Sequence, residues 1–376
     1  MGDCQGCKKP LGELPHFLIK KCGKFAELLE AYFLRMVECR EVRVLWNLPP
    51  KSEAGGEQQT YPCLGLDRFH GTVGSKYMSH QPAKRLQEIL PDLLGKKEGV
   101  WSSGNTIIGL PTGLGALDCL TGGFVEGELV VVAARPAVGK SALALNIALN
   151  AAVTVGVPVL FFSLEMGEEQ IAQRVLACMA AVSYQHVARQ PDFESNELPR
   201  VVSAVEALTP VNLSICADAA LSLQDIQSVC EEQLSLYGAL GLIVVDNLQA
   251  LSITGECAVE HRASELTAIV QGLKALAQKY ACPVLVTSHV SRAVDTSINK
   301  RPTLSDLSDS GSIENFADIV LLLYRDDYYN GEKSHAPGMA EIHVAKHRNG
   351  SAPVCIHACF VAPCMRFENL ADKEMG

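Results

Sequence analysis

The sequence predicts an α/β fold. A mainly parallel sheet carries helices on both faces, preceded by a short, mostly helical N-terminal region. Two observations carry this expectation. From Gly109 onward, short continuously apolar runs alternate with helix-length segments, and strands buried on both faces have that unbroken apolar character. Ser141 to Leu164 is a run of 24 residues without a charge, cut by Gly156-Val157-Pro158 into a helix and a following strand. About 20 apolar residues suffice to span a bilayer. This run contains Asn146, Asn150 and Thr154, so it reads as a buried helix followed by a buried strand rather than a membrane span.

Composition narrows the class. The 376 residues are 48% hydrophobic and 20% charged, ordinary globular usage that excludes a disordered chain, a collagen-like fibre and a small disulfide scaffold. The formal net charge of −10 is unevenly spread: residues 1–100 hold 15 basic and 12 acidic side chains, and residues 101–376 hold 17 and 30. A generally basic surface for coating nucleic acid is excluded, and any such contact must come from local positive groups. The 14 cysteines run from Cys4 to Cys364 without a repeated spacing and read mostly as reduced core thiols. Cys4-x-x-Cys7 has the spacing of half a zinc site, but no second pair follows it. The N-terminus has Cys, Lys and Gly where a secretion signal needs an apolar core, so none is expected.

The elements follow in order. Pro15 to Val42 is an amphipathic helical candidate, Leu48 to Gly56 reads as a linker, and residues 57–82 show no period. Ala83 to Leu94 has apolar residues at helical spacing, and Lys96 to Asn105 is a polar connector. These features divide the chain into an atypical N-terminal region (1–82), a linker helix and connector (83–105) and a main domain (106–370). In that domain Leu129–Ala134, Pro158–Ser163, Leu242–Asp246, Pro283–Ser288, Ile319–Tyr324, Glu341–Lys346 and Val354–Ala358 are predicted strands. Ser141–Thr154, Gly167–Ala181, Leu221–Tyr237 and Arg262–Tyr280 are predicted helices.

Ala134-Arg135-Pro136-Ala137-Val138-Gly139-Lys140-Ser141-Ala142 lies directly between a buried strand and a helix, the context of a phosphate-binding loop. Gly139 lets backbone approach phosphate, and the helix N-terminus favours the negative charge. Lys140 is suited to the β- and γ-phosphates and Ser141 to Mg²⁺, so ATP and Mg²⁺ are the expected ligands. Asp246, at the tip of its strand, suits a second Mg²⁺ contact. Glu165 follows another strand and could polarise an attacking water; it is equally an exposed carboxylate that opens a helix.

Those segments and several others resemble the replicative helicases of the DnaB family. The similar segments are Gly109–Asp118, Ala133–Ser141, Phe162–Met166, Leu242–Gln249, Ser288–Arg292, Lys300–Asp306, Ser310–Glu314, Ala345–Gly350 and Arg366–Asn369, in the family's order. The resemblance implies a RecA-like motor that forms a homo-oligomeric ring, usually a hexamer, around single-stranded DNA, with nucleotide between neighbouring subunits. It implies Glu165 as catalytic base, Lys140 and Ser141 on phosphate and Mg²⁺, and Asp246 assisting the metal. It also implies Arg348, with Lys346 beside it, as an arginine finger reaching the next subunit. Without the resemblance, Lys346-His347-Arg348 reads as a solvated strand end. Primase and a helicase loader are implied partners. The implied setting is cytoplasmic, bacterial or phage-like, with an organelle as the alternative.

Four departures stand out. His289 occupies the usual position of a Gln that senses the γ-phosphate, and Asn247 that of a Tyr. The DNA-facing loop reads Leu307-Ser308-Asp309-Ser310-Gly311 where the family has Leu-Arg-Glu-Ser-Gly. Lys300, Arg301, Asp309 and Gly311 remain the expected DNA-contacting positions; Lys300-Arg301-Pro302 alone would read as an exposed turn. Residues 1–82 do not align with the family's helical collar, so a shortened, replaced or diverged collar is expected. Ala83 to Leu94 corresponds to the linker helix that docks on a neighbour, or to an ordinary core helix. The leading reading is a replicative helicase translocating 5′ to 3′. The alternatives are another RecA-like recombination or repair ATPase, and an ATP-binding accessory subunit of a helicase ring with weak unwinding.

Overall fold

The computed structural model describes residues 85–87, 107–189, 196–252, 262–307 and 310–370. The chain divides into two units, Met1–Leu94 and Gly95–Gly376. In the first, Leu86 and Gln87 are helical. The expected helix at Pro15 to Val42, the linker, the Cys4/Cys7 pair and most of 83–105 lie outside the described residues.

The second unit follows the predicted alternation. Helix α1 (Gly115–Thr121) precedes β1 (Leu129–Ala134), α2 (Lys140–Leu149), β2 (Val159–Ser163), α3 (Glu168–Ala180), α4 (Tyr184–Arg189) and α5 (Glu197–Leu208). Next come β3 (Leu213–Ala217), α6 (Leu223–Tyr237), β4 (Leu242–Asp246), α7 (Arg262–Tyr280), β5 (Val284–His289) and α8 (Ala293–Thr296). The last elements are α9 (Ser310–Phe316), β6 (Ile319–Tyr324), α10 (Asp326–Asn330), β7 (Met339–His347), β8 (Val354–Val361) and β9 (Arg366–Glu368). The strands form one sheet of order β3-β2-β4-β5-β1-β6-β7-β8-β9. The first six are parallel, and β7, β8 and β9 join antiparallel.

Period-two alternation sends each central strand to two cores. Val130, Val132, Phe161 and Val244 pack with Leu143 and Ile147 of α2 on one face. Val131, Leu160, Phe162, Ile243 and Val245 pack with Ile226 of α6 and Ile269 and Leu273 of α7 on the other. The uncharged run is α2, a π-helical turn (Asn150–Val155) and β2. Among the described residues no helix is long and apolar enough to cross a membrane.

The Gly109–Asp118 segment closes onto the sheet through a buried carboxylate. Asp118, 4% exposed, accepts from the Thr112 amide and hydroxyl at 2.7 Å each and from the Gly113 amide at 3.2 Å. Gly109 lies so close to Phe124 that a Cβ would sit 2.6 Å from its carbonyl, which explains the glycine. Asp118→Ala leaves several buried donors without an acceptor. It is expected to cost about 2–4 kcal/mol, measured as a lower urea midpoint at constant m-value; an unchanged midpoint would refute this account.

Candidate functional site

Parallel register brings four strand ends to one edge. Ala134 of β1 lies opposite His289 of β5, and Ser163 of β2 opposite Asp246 of β4. The chain leaves β1 through Arg135, exposed Pro136 and Ala137, and buried Val138 before α2 begins. Gly139 has φ 122°, a region L side chains rarely adopt, which accounts for glycine there. No side chain caps α2, so its first-turn amides keep their donors for an anion. Lys140 is buried, Ser141 half-buried, and Ala142 packs into the core.

Two arginines brace this loop. Arg135 pairs with Asp295 at 2.7 Å and donates to the Val290 carbonyl at 3.0 Å. Arg325, over the Phe360 ring and paired with Asp327, donates to the Val138 carbonyl at 3.3 Å.

At the tip of β4, Asp246 is 1% exposed. Its Oδ1 accepts from the Thr287 hydroxyl, and its Oδ2 is buried without a hydrogen-bond partner. A buried, unpartnered carboxylate oxygen is costly, and it is the hard donor a Mg²⁺ ion or its bound water takes. With the Ser141 hydroxyl across the edge, the residues present fit that cation.

Glu165, 48% exposed at its side chain, is tethered to a polar chain. The buried Asn247 amide donates to Glu165 Oε1 at 2.6 Å and contacts His289 Nε2 at 3.2 Å. Asn247 Oδ1 accepts from the Ala250 amide, which fixes the orientation of the side-chain amide. His289 Nε2 also lies 3.5 Å from Glu165 Oε1, and its Nδ1 is buried without a hydrogen-bond partner, so the ring's polar contacts all run through Nε2. Behind it Gln249 bonds the Ser288 hydroxyl at 2.9 Å and accepts from the His289 backbone amide at 3.2 Å. The sequence marked Asn247 as a departure without a role; its position beside Asp246 was the available signal. Gln249 closes the family-like segment Leu242–Gln249 but had no role attached, and Thr287 and Arg325 carried no signal.

Lys346 and Arg348 are not brought to this edge. The antiparallel pairing sets His347 opposite Ile319, at the amino end of β6. That is about 13 Å along the strand direction from the level of Leu323. Lys346 donates to the Glu314 and Ala317 carbonyls, and Arg348 to the Asn315 carbonyl at 3.0 Å. Arg348 also meets buried Asp318 at 3.3 Å. Arg301 is not a free turn residue: it grips Glu341 with both Nε and Nη2 and stacks over Tyr324. Lys300 donates to the Asp295 carbonyl at 3.2 Å. Gly311 is exposed in the first turn of α9, and Asp309 lies outside the described residues.

A phosphate-binding loop beside an acidic strand tip, on a sheet of this order, defines a RecA-like P-loop nucleotide-binding domain. Residues 109–369 match the DnaB-like helicase C terminal domain, and the chain belongs to that family. It is 37% identical over 290 residues to the replicative DNA helicase DnaB of Geobacillus stearothermophilus, covering 77% of this chain and 63% of that protein. Among solved structures, an isolated ATPase domain matches with TM-score 0.71 and 30% identity, over 77% of this chain and 100% of that one. A DnaB-like replicative helicase described with its interactions with primase matches with TM-score 0.69 and 30% identity, over 77% of this chain and 68% of that one. The chain spans about three fifths of the length of the curated relatives it matches.

Burial, then the charge of Lys140, hold the His289 imidazole below its ordinary value of 6.5, against the opposing pull of Glu165 and Asp246. The folded ring therefore binds a proton less readily than the unfolded one. The stability this implies is complete above pH 6.5 and falls as pH drops below that value. His289→Gln should lose less stability than the wild type between pH 7.5 and 5.5, read from urea midpoints. Equal losses in the two proteins would contradict the assignment.

Proposed function

We propose that the chain is the motor of a replicative DNA helicase. It hydrolyses ATP at interfaces between identical subunits, moves 5′ to 3′ along single-stranded DNA and unwinds duplex at the fork. Family membership supports the class. The observation that carries the shared-interface reading is the separation of Lys346 and Arg348 from Lys140, Asp246 and Glu165 on opposite edges of one sheet. A finger on the amino edge serves a neighbour's phosphates more readily than its own, which fits a closed ring, a hexamer by the family's habit.

In this reading the α2 amides and Lys140 cradle the phosphates, and Ser141 and Asp246 hold the Mg²⁺ that neutralises developing charge when bound. Glu165 orients and deprotonates the attacking water. Asn247 holds Glu165 in place through Oε1 and leaves Oε2 for that water. His289 reports on the site through the same amide. Arg348 stabilises the neighbour's transition state, worth about 10³–10⁵ in turnover for such a residue. Single-stranded DNA, a primase and a loader are the partners, and the setting is the compartment that holds the replicating DNA. The accessory-subunit reading draws on Arg301, whose pairing with Glu341 competes with phosphate contact.

The test measures ATPase activity with and without single-stranded DNA, and strand displacement on a forked duplex. DNA-stimulated hydrolysis and unwinding that Lys140→Ala abolishes are expected. Hydrolysis without unwinding would favour the accessory subunit. Mixing Lys140→Ala with Arg348→Ala subunits should restore part of the turnover, because some interfaces then pair an intact loop with an intact finger. No recovery at any ratio would overturn the shared site.

A further inference from the structure

We propose that Glu341, His343 and Cys355, on one face of the β7–β8 pair, form a three-ligand binding site for a divalent cation of the zinc class, with the fourth position open to solvent. Register creates the cluster. Glu341 lies opposite His357, and His343 opposite Cys355. Alternation turns Ala340, Ile342 and Val344 into the core and the four polar residues to the other face. The result is two directly opposed cross-strand pairs, the closest side-chain neighbours a sheet provides.

The donor atoms are already gathered. One ligand atom each from Glu341, His343 and Cys355 lies within 4.8 Å of the other two. His343 Nε2 is 2.9 Å from Glu341 Oε2 and 3.8 Å from Cys355 Sγ. With metal–ligand distances of about 2.0–2.3 Å, tetrahedral zinc holds neighbouring ligand atoms about 3.3–3.6 Å apart. Both observed separations bracket that range, so small side-chain shifts suffice. A thiolate, an imidazole and a carboxylate form a borderline-soft set that suits zinc and does not suit Mg²⁺ or Ca²⁺.

Arg301 sets the limits of the site. Its Nη2 holds Glu341 Oε1 at 2.5 Å, and its Nε bonds Oε2 at 2.6 Å. A cation would replace the hydrogen of the His343–Oε2 contact, while Oε1 keeps Arg301 as the outer partner that orients the carboxylate. The thiolate and the carboxylate, which is shared with Arg301, supply the negative charge that faces the ion. Binding releases the Cys355 thiol proton to solvent and involves no oxidant or reductant. The ion would tie β7 to β8 and, through Glu341, to the segment that carries Arg301.

The full chain, stripped with chelator and titrated with Co²⁺, tests this. The expected result is a thiolate-to-cobalt charge-transfer band at one equivalent. Cys355→Ser should remove it, His343→Ala should weaken binding more than tenfold, and the Cys4→Ser/Cys7→Ser double variant should keep it. In the wild type, Zn²⁺ should slow alkylation of the Cys355 peptide, followed by mass spectrometry, and chelator should restore the rate. This second reading needs no variant to fold. A band that survives Cys355→Ser, or alkylation of Cys355 indifferent to Zn²⁺, would overturn the proposal.

Discussion

The hydrogen-bond ladder that holds β1 between β5 and β6 decides which residues meet and which stay apart. β1 is buried along its whole length, so neither its register nor its direction can slip without carrying apolar side chains to the wrong core. At its carboxyl end the ladder sets Ala134 beside His289 and starts the phosphate loop. At its amino end, Asp318 closes the same ladder from the β6 side. The Leu129 amide donates to its carboxylate at 2.8 Å, and Lys274 pairs with it at 2.6 Å. One strand therefore anchors both edges, and the two chemistries proposed for the family fold occupy opposite ends of it.

Beyond the two arginine pairs that brace the phosphate loop, the strand tips at the carboxyl edge are joined by an amide donor. Asn247 is the central piece: one side-chain amide group spans a carboxylate on β2's tip and an imidazole on β5's tip. A Tyr at this position could offer a single hydroxyl, and a Gln at the position of His289 would bring an amide of its own. Asn247 and His289 touch through this amide, so the two residues that set this chain apart from the family's pattern lie side by side. At the amino edge, Lys346 and Arg348 hold the carbonyls at the end of α9, the helix whose first turn contains Gly311. The loop read as DNA-facing thus runs into the first turn of this seven-residue helix, and the residues read as a finger contact the carbonyls at its other end.

The parts of this arrangement that sequence reading reached are those written locally. Val-rich runs such as Leu129–Ala134 and Leu242–Asp246 announce buried strands because every position is apolar up to the strand tip. The phosphate loop and Asp246 are legible because each sits at a strand end. β3 (Leu213–Ala217) was missed because an edge strand is only half-buried and its sequence includes Ser214 and Cys216. Helices α4 and α5 were missed for a related reason: they form a small satellite core around Val182 and Val201 rather than covering the sheet with a broad apolar face. Asn247 escaped because its two partners lie 82 and 42 residues away. The β7–β8 cluster depends on antiparallel register, which no single segment encodes.

Arg301 shows how a residue's surroundings change what its identity suggests. In sequence, Lys300-Arg301 is a basic step in a stretch resembling a DNA-contacting segment. In the fold, its guanidinium lies 4.6 Å from the Tyr324 ring centre and spans both oxygens of Glu341, a carboxylate that Arg301 and His343 together hold below its ordinary range despite burial. A planar guanidinium with two parallel bonds to one carboxylate has few donors left for a phosphate. For Arg301 to engage DNA, Glu341 would have to give it up, and a half-buried carboxylate released in this way needs another positive partner. His343, whose Nε2 lies 2.9 Å from Oε2, is the neighbour already in place, and it would have to be protonated to replace the guanidinium. The fold therefore favours Arg301 as a clamp between its own segment and β7 over Arg301 as a phosphate contact.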